Sequence, residues 1–233
     1  MYSDSFSTVA ERDHAKPEAA QPRGASVSAQ ISDFGKVWFD RAFVAAALLM
    51  LLPLFLVVSA LILIADGRPI FFGHMRTGRN GRQFKCWKFR TMVRDAEARL
   101  QDVLDSDPER RAEWLESHKL AQDPRILPFG GLLRKLSIDE LPQLWNVLMG
   151  EMSLVGPRPV TKDELIRYGK GASAYKKVRP GITGQWQVSG RSSVGFEERV
   201  AMDVDYVEKQ SFLGDLKIVA KTPKAVIKRD GAC

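Results

Sequence analysis

The sequence predicts a mostly helical α/β fold in which one membrane-associated domain, carrying a small β-hairpin, follows a single apolar segment. Three observations point there. A charge-free run covers Ala42 to Ala65, an Asn80-Gly81 turn stands between two apolar stretches, and the chain beyond Met92 places apolar residues at helical spacing. The chain has 233 residues, 45% hydrophobic and 27% charged, as one globular domain would. This excludes a wholly disordered chain and a collagen. It also excludes a polytopic transporter, which needs many apolar segments of about 20 residues.

Residues 1–35 are rich in Ser, Ala, Gln, Pro and charge, and are expected to form a disordered tail. The run AFVAAALLMLLPLFLVVSALILIA follows within the segment 36–66. As a helix it would be roughly 36 Å long, which favours a membrane segment over a core helix. The long tail before it, and the lack of a small-residue cleavage site after it, argue against a secretory signal. Pro53 sits mid-run and removes a backbone N–H. Two geometries follow: a tilted, mildly bent span, or a break at Leu52-Pro53 that returns the chain to the face it entered. Ser59 is the run's only hydroxyl available to a freed carbonyl.

Residues 67–233 are expected to form a cytoplasmic, membrane-associated domain. Between Asp66 and Asp95 there is no acid, but Arg68, Arg76, Arg79, Arg82, Lys85, Lys88, Arg90 and Arg94 are present. Such density beside a membrane segment marks the cytoplasmic side and anionic headgroups. The net charge of +7 and pI near 9.5 likewise suggest an anionic partner. A hairpin is expected around Thr77–Gly81. Helices are expected over Met92–Leu104, from Pro108 to about Lys119, and over Pro142–Met149, Phe196–Tyr206 and Leu216–Ile227. The last of these carries Lys217, Lys221, Lys224 and Lys228 and suits a membrane surface. Cys86 and Cys233 have no metal-ligand spacing and form no disulfide framework, so a reducing compartment is expected.

The chemistry centres on Asp139-Glu140. One interpretation is a capping box of Ser137 with Glu140. It places Pro142 at a fifth helical position, where its missing N–H would be needed. A helix beginning at Pro142 instead leaves both acids on an exposed turn near Arg134 and Lys135, ionised and with depressed pKa values. An ionised carboxylate among cations suits phosphoryl chemistry. It can attack phosphorus while its neighbour holds Mg²⁺ and guanidinium groups offset the charge. Arg134 and Arg158 are the candidates for that role, and Arg158 is held between two prolines. Lys88, Arg90, Arg179 and Arg191 are further phosphate candidates. Asp203, Asp205 and Asp215 read as solvated helix acids. His14, His74 and His118 share no spacing, and no P-loop or dinucleotide fingerprint is present.

The ordered set of motifs resembles the bacterial sugar transferase family, the monotopic polyprenyl-phosphate phosphoglycosyl transferases. The set comprises Lys88-Phe89-Arg90-Thr91-Met92, Asp123-Pro124-Arg125, Leu133-Arg134-Lys135, Ser137–Gln143, Gly156-Pro157-Arg158-Pro159, Arg179–Gly184 and Asp215-Leu216-Lys217-Ile218. The resemblance runs from about Lys36 to Gly231 and is nearest to enzymes that start exopolysaccharide synthesis. It implies a re-entrant, monotopic membrane helix broken at Pro53 and a site on the cytoplasmic face of the bacterial inner membrane. It further implies that Asp139 attacks a UDP-sugar, UDP-galactose or UDP-glucose, and releases UMP, with Mg²⁺ on Glu140. Undecaprenyl phosphate then takes the phosphosugar. Arg134 and Arg158 match phosphate-binding positions, and Lys88 and Asp215 match further charged positions. Leu52 departs from the Ser that many members carry before the membrane proline.

Two other classes are compatible with charge and hydropathy alone: a membrane-anchored basic scaffold and a tethered nucleic-acid binder. The second lacks a recognition helix, so nucleic acid is not expected as a partner. A homo-oligomer is compatible with the sequence.

Overall fold

The computed structural model describes residues 27–190 and 194–228. It is mostly helical, with one antiparallel hairpin and one short parallel strand pair. Helix α1 (Val27–Asp66) starts inside the expected tail and continues unbroken through Pro53, so the expected break into two helices does not occur. From Lys36 onward, successive turns of α1 have partners on the domain. Lys36 pairs with Asp215, and Asp40 accepts from the Ser153 hydroxyl at 2.6 Å. Val44, Leu48 and Leu51 pack into one core cluster, and Leu54, Phe55, Val58 and Ile62 into a second. Asp66 pairs with Arg90.

These positions are three or four apart, which is the spacing of one helix face. The opposite face shows Leu49, Met50, Leu52, Leu56, Val57 and Ile64 to the outside. α1 therefore lies along the domain, with both polar ends tied to it. Residues Gly35–Asp66 are long and apolar enough to cross a membrane, but a helix running straight through a bilayer would leave only one end on this domain. Pro53 is itself exposed, on the face away from the domain, so the packed face keeps its contacts.

Strands β1 (Phe71–Thr77) and β2 (Gln83–Phe89) form the expected hairpin, with Phe72 opposite Lys88 and Arg76 opposite Phe84. Its turn needs positive φ at Asn80 (58°) and Gly81 (77°), conformations that Asn and Gly accept at small cost. Helix α2 (Ala96–Ser106) begins later than the spacing suggested. Met92 instead bridges Ile126, and this extends the sheet-like path beyond the hairpin. Helix α3 (Pro108–Ser117) has Asp107 accepting from the amides of Glu109 and Arg110, as the Asp-Pro start requires.

Helices α4 (Gly130–Lys135) and α5 (Gln143–Leu148) flank the acidic pair. Strand β3 (Ser153–Val155), helices α6 (Lys162–Arg167) and α7 (Gly171–Tyr175), strand β4 (Gly181–Thr183) and helix α8 (Gln185–Ser189) follow. β3 and β4 run parallel at a close approach. A Cβ on Gly156 would meet the Arg179 carbonyl at 2.6 Å and the Gly181 nitrogen at 2.8 Å, so both glycine-proline loops need their glycines. Helix α9 (Phe196–Lys209) runs three residues past its expected end, and α10 (Phe212–Lys228) begins four residues early.

Candidate active site

Three elements cross the seam between the two core clusters, and each carries a charged residue or the membrane proline at the crossing. In β2, Cys86 lies in the first cluster and Phe89 in the second, with Lys88 between them. On the turn before α5, Ile138 packs on the second cluster and Leu141 on the first, with Asp139 and Glu140 between them. In α1, Leu51 and Leu54 flank Pro53 in the same way. Hydrophobic anchors on either side fix the backbone, so Lys88, Asp139 and Glu140 meet where apolar packing gives way.

The acids occupy a 3₁₀ turn (Ile138–Glu140) ahead of α5. Ser137 makes no side-chain cap and adopts a left-handed φ of 56°, so the capping-box interpretation fails. A non-glycine residue in that region stores strain of the order of 1 kcal/mol, held by surrounding packing. The turn is not exposed, contrary to expectation, and Asp139 is 8% accessible.

Lys88 Nζ donates to Glu140 Oε1 at 2.7 Å and stands 3.9 Å from Asp139 Oδ2. Arg158 reaches Glu140 Oε1 at 3.7 Å, and its side chain is partly exposed. Arg134 donates from Nε to Thr91 Oγ1 at 2.8 Å, and its charge acts on Asp139. The four charged residues singled out with Asp139 therefore converge on one turn: Glu140, Lys88, Arg134 and Arg158.

The acids divide electrostatically. Burial pushes the Asp139 carboxyl up to about 6, helped by the Glu140 charge and opposed by Lys88 and Arg134. The expectation of a depressed Asp139 pKa is thus overturned, because the cations do not offset the lost hydration. Burial also acts upward on Glu140, but Arg158 and Lys88 outweigh it and hold that carboxylate below its usual range. One acid is poised near neutrality and the other is firmly ionised. The paired carboxylates are hard oxygen donors of the kind Mg²⁺ takes, one or two at a time beside water and phosphate oxygens. Among the described residues no group of three or more His, Cys, Asp or Glu side chains could hold a metal ion, so the donor set fits only with substrate and water completing it.

Other expected site residues stand elsewhere. Arg90 is buried and spends its guanidinium on Asp66 and on the carbonyls of Pro69 (2.6 Å), Gly67 (2.6 Å) and Met92 (2.9 Å). It latches the end of α1 to the hairpin, and faces no open phosphate site. Asp215 is not a solvated acid: it is buried, paired with Lys36 and bonded by the Tyr206 hydroxyl at 2.8 Å. It joins α10 to α1. Asp203 is also buried, against the Tyr168 hydroxyl at 2.9 Å. Arg179 lines a separate cavity. Arg191 lies outside the described residues.

Sequence reasoning missed Asn146. It is fully buried in α5, accepts from the Trp87 amide at 3.0 Å, and donates to the Lys85 carbonyl at 2.7 Å and to Glu151 at 2.6 Å. These bonds fix β2 against α5 and set where Lys88 meets the acids. An Asn among apolar helix positions was the available signal. Arg76, bonded to Glu164 at 2.9 Å, also lends its charge to Glu140.

The chain is similar to known proteins over most of its length. The family model described as "Bacterial sugar transferase" matches residues 31–229. The chain is 50% identical over 196 residues to "Exopolysaccharide production protein ExoY" of Sinorhizobium fredii, covering 84% of this chain and 87% of that protein. It is 50% identical over 167 residues to "Undecaprenyl-phosphate galactose phosphotransferase" of Salmonella typhimurium, covering 72% of this chain and 35% of that protein. It is 34% identical over 196 residues to "UDP-glucose:undecaprenyl-phosphate glucose-1-phosphate transferase" of Xanthomonas campestris, covering 81% and 38%.

Proposed function

This chain belongs to the bacterial sugar transferase family, and from that premise we propose that it moves a hexose 1-phosphate from a UDP-sugar to undecaprenyl phosphate, the first step in building an exopolysaccharide. Two of the relatives named above carry galactose and UDP-glucose in their names, so UDP-galactose and UDP-glucose are the donors to test first. The observation that carries the proposal is the cluster itself: Asp139 and Glu140 on one turn, with Lys88 2.7 Å and Arg158 3.7 Å from Glu140 and Lys88 3.9 Å from Asp139.

Asp139 is the nucleophile. Its carboxylate oxygen attacks the sugar-bearing phosphorus of the UDP-sugar. The bond from that phosphorus to the bridging oxygen breaks, and UMP leaves with the electron pair. The phosphate of undecaprenyl phosphate then attacks the aspartyl phosphosugar, restores the carboxylate and yields the lipid-linked diphosphosugar. Lys88, Arg134 and Arg158 hold the pyrophosphate oxygens and offset the charge that would repel the attacking anion. Glu140 is the residue to hold Mg²⁺, which when bound supplies further screening of the phosphate charge.

The acceptor's phosphate lies at the membrane interface. The outward apolar face of α1 would rest in one leaflet, on the cytoplasmic side, with both polar ends on the domain and the site at headgroup depth.

The test is UMP release across UDP-glucose, UDP-galactose and their N-acetyl forms, with and without undecaprenyl phosphate, together with intact-protein mass. Without acceptor, the chain should gain one hexose phosphate on Asp139, and Asp139→Asn should gain none. Retained turnover by Asp139→Asn, or an adduct on another residue, would overturn the covalent route.

A further inference from the structure

The side of the hairpin that carries Lys88 also carries two uncovered rings. Cross-strand partners share a face of a β-ladder, so Phe72, His74 and Arg76 of β1 stand on the same side as Lys88, Cys86 and Phe84 of β2. Phe84 and Cys86 are covered by the first core cluster. Phe72 is 51% accessible and His74 is exposed. The strip has Lys88 at one end, directly across from Phe72, and Arg76, bonded to Glu164, at the other. From Phe72 to Arg76 it covers about 13 Å of strand. The charges of Lys88, Glu140, Arg76 and Arg158 all act on the Cys86 thiol, the partner of His74 across the ladder. The two rings therefore border the candidate active site.

Their geometry suits a flat ligand. The ring centres are 6.3 Å apart and the planes are inclined at 54°, so neither ring covers the other's face. A planar base lying on Phe72 would turn one edge toward His74. The hydrogen bond that His74 already makes decides what that edge must carry. Its Nδ1 is 3.1 Å from the Met75 carbonyl oxygen. A carbonyl only accepts, so the proton of the neutral ring sits on Nδ1 and Nε2 is left as an acceptor. Nε2 has no hydrogen-bond partner among the described residues. Uracil offers an N3–H donor on the edge away from its ribose. Cytosine offers a lone pair at N3. Pairing with cytosine would need the other tautomer, which sets the Nδ1 lone pair against the Met75 carbonyl.

We propose that Phe72 and His74 form the base subsite for the uridine half of the donor. The uracil ring stacks on Phe72, its N3–H donates to His74 Nε2, and the phosphates run on to Lys88. Stacking on an aromatic ring tolerates every base, so Phe72 supplies affinity and His74 supplies the choice of uracil. The inference deepens the proposed transfer and rests on a UDP-sugar being the donor. Both residues bind substrate away from the reacting phosphorus.

The test titrates UMP, CMP and galactose 1-phosphate into the full chain in detergent, with Mg²⁺ present, and reads each dissociation constant by calorimetry. The wild type should bind UMP about tenfold or more tightly than CMP. Phe72→Leu should weaken UMP and CMP alike by about tenfold, and Phe72→Tyr, which keeps a ring, should bind both as the wild type does. His74→Phe should bring the UMP and CMP constants within about twofold of each other. Galactose 1-phosphate should respond to none of the three substitutions. Thermal melts of each variant confirm that these exposed positions leave the fold intact.

Equal affinity of the wild type for UMP and CMP, or none for either, would overturn the proposal. So would a UMP constant that ignores Phe72→Leu, or a preference for UMP that survives His74→Phe. A loss of galactose 1-phosphate binding in Phe72→Leu would put the sugar on that ring and overturn it equally. UMP bound in the expected pattern by a chain that releases none from a UDP-sugar would overturn the proposed function and leave this subsite standing. Turnover by a chain whose UMP affinity ignores both residues would do the reverse.

Discussion

The Lys88 ammonium is 1.2 Å closer to Glu140 than to Asp139, at 2.7 Å against 3.9 Å. It thus stabilises the charge of the residue proposed to hold a metal more than that of the residue proposed to attack. Burial raises Asp139 to about 6 against that pull, while Arg158 together with Lys88 keeps Glu140 ionised. UMP release should therefore climb about tenfold per pH unit below about pH 6 and level off above it. In Lys88→Met the downward pull on Asp139 is gone, so the limb should move to higher pH as the plateau falls. A pH profile of kcat/KM for both proteins checks this, and an unmoved limb would rule out Asp139 as the titrating group.

The same shift fixes the sign of a stability effect. Asp139 ordinarily ionises near 3.8 and is raised to about 6 in the fold. Between those values the folded chain holds a proton that the unfolded chain has released. Stability from this group is complete below about pH 4 and is lost as pH rises through 6, by up to ~3 kcal/mol. Asn remains neutral throughout. Asp139→Asn should unfold at a higher temperature than the wild type at pH 7.5 and converge toward it at pH 4, measured by thermal melts at both pH values.

Arg90 separates a structural from a substrate role. Its guanidinium is consumed by Asp66 and by backbone carbonyls. Arg90→Lys keeps the charge and loses the fork, so several buried acceptors go unpaired, a destabilisation of about 2–4 kcal/mol. The melting temperature should drop while the KM for the UDP-sugar, measured on the folded fraction, stays within about twofold. A rise in KM without a fall in melting temperature would return Arg90 to the phosphate site.

Asn146→Ala should act at a distance. Three buried hydrogen bonds disappear, which destabilises the fold by about 2–4 kcal/mol. Because Asn146 accepts from the amide of Trp87, next to Lys88, kcat should fall along with stability. Asn146→Asp keeps the acceptor and loses the two donors, so it should recover part of kcat. Equal kcat values for the two variants would deny Asn146 a positioning role.

Much of this was legible in the sequence because it depends on local chemistry. Asn80-Gly81 set the hairpin turn, Asp107-Pro108 set a helix start, and Pro142 argued correctly against a Ser137 cap. The charge cluster around Asp139-Glu140 was readable as types and order. Burial was not, since it depends on residues far apart in the chain. Asp139 lost its water to clusters built from α1, β2 and α5, so its pKa rose where neighbouring cations alone suggested a fall. Arg90 and Asp215 looked like free charges until long-range partners, Asp66 and Lys36, took them up. Pro53 suggested a broken helix, but the proline sits on the exposed face and α1 runs on through it with its other face packed on the domain.

The continuous seam between α1 and the rest of the molecule bears on how this protein can be handled. Val44, Val58 and Ile62 are each at most 2% accessible, Val44 in the first hydrophobic cluster and Val58 and Ile62 in the second. Deleting the anchor to obtain a water-soluble fragment would open both hydrophobic clusters at once and remove the partners of Ser153, Arg90 and Asp215. A fragment that begins after Asp66 should therefore expose both clusters, and expression with α1 intact is the way to keep the native packing.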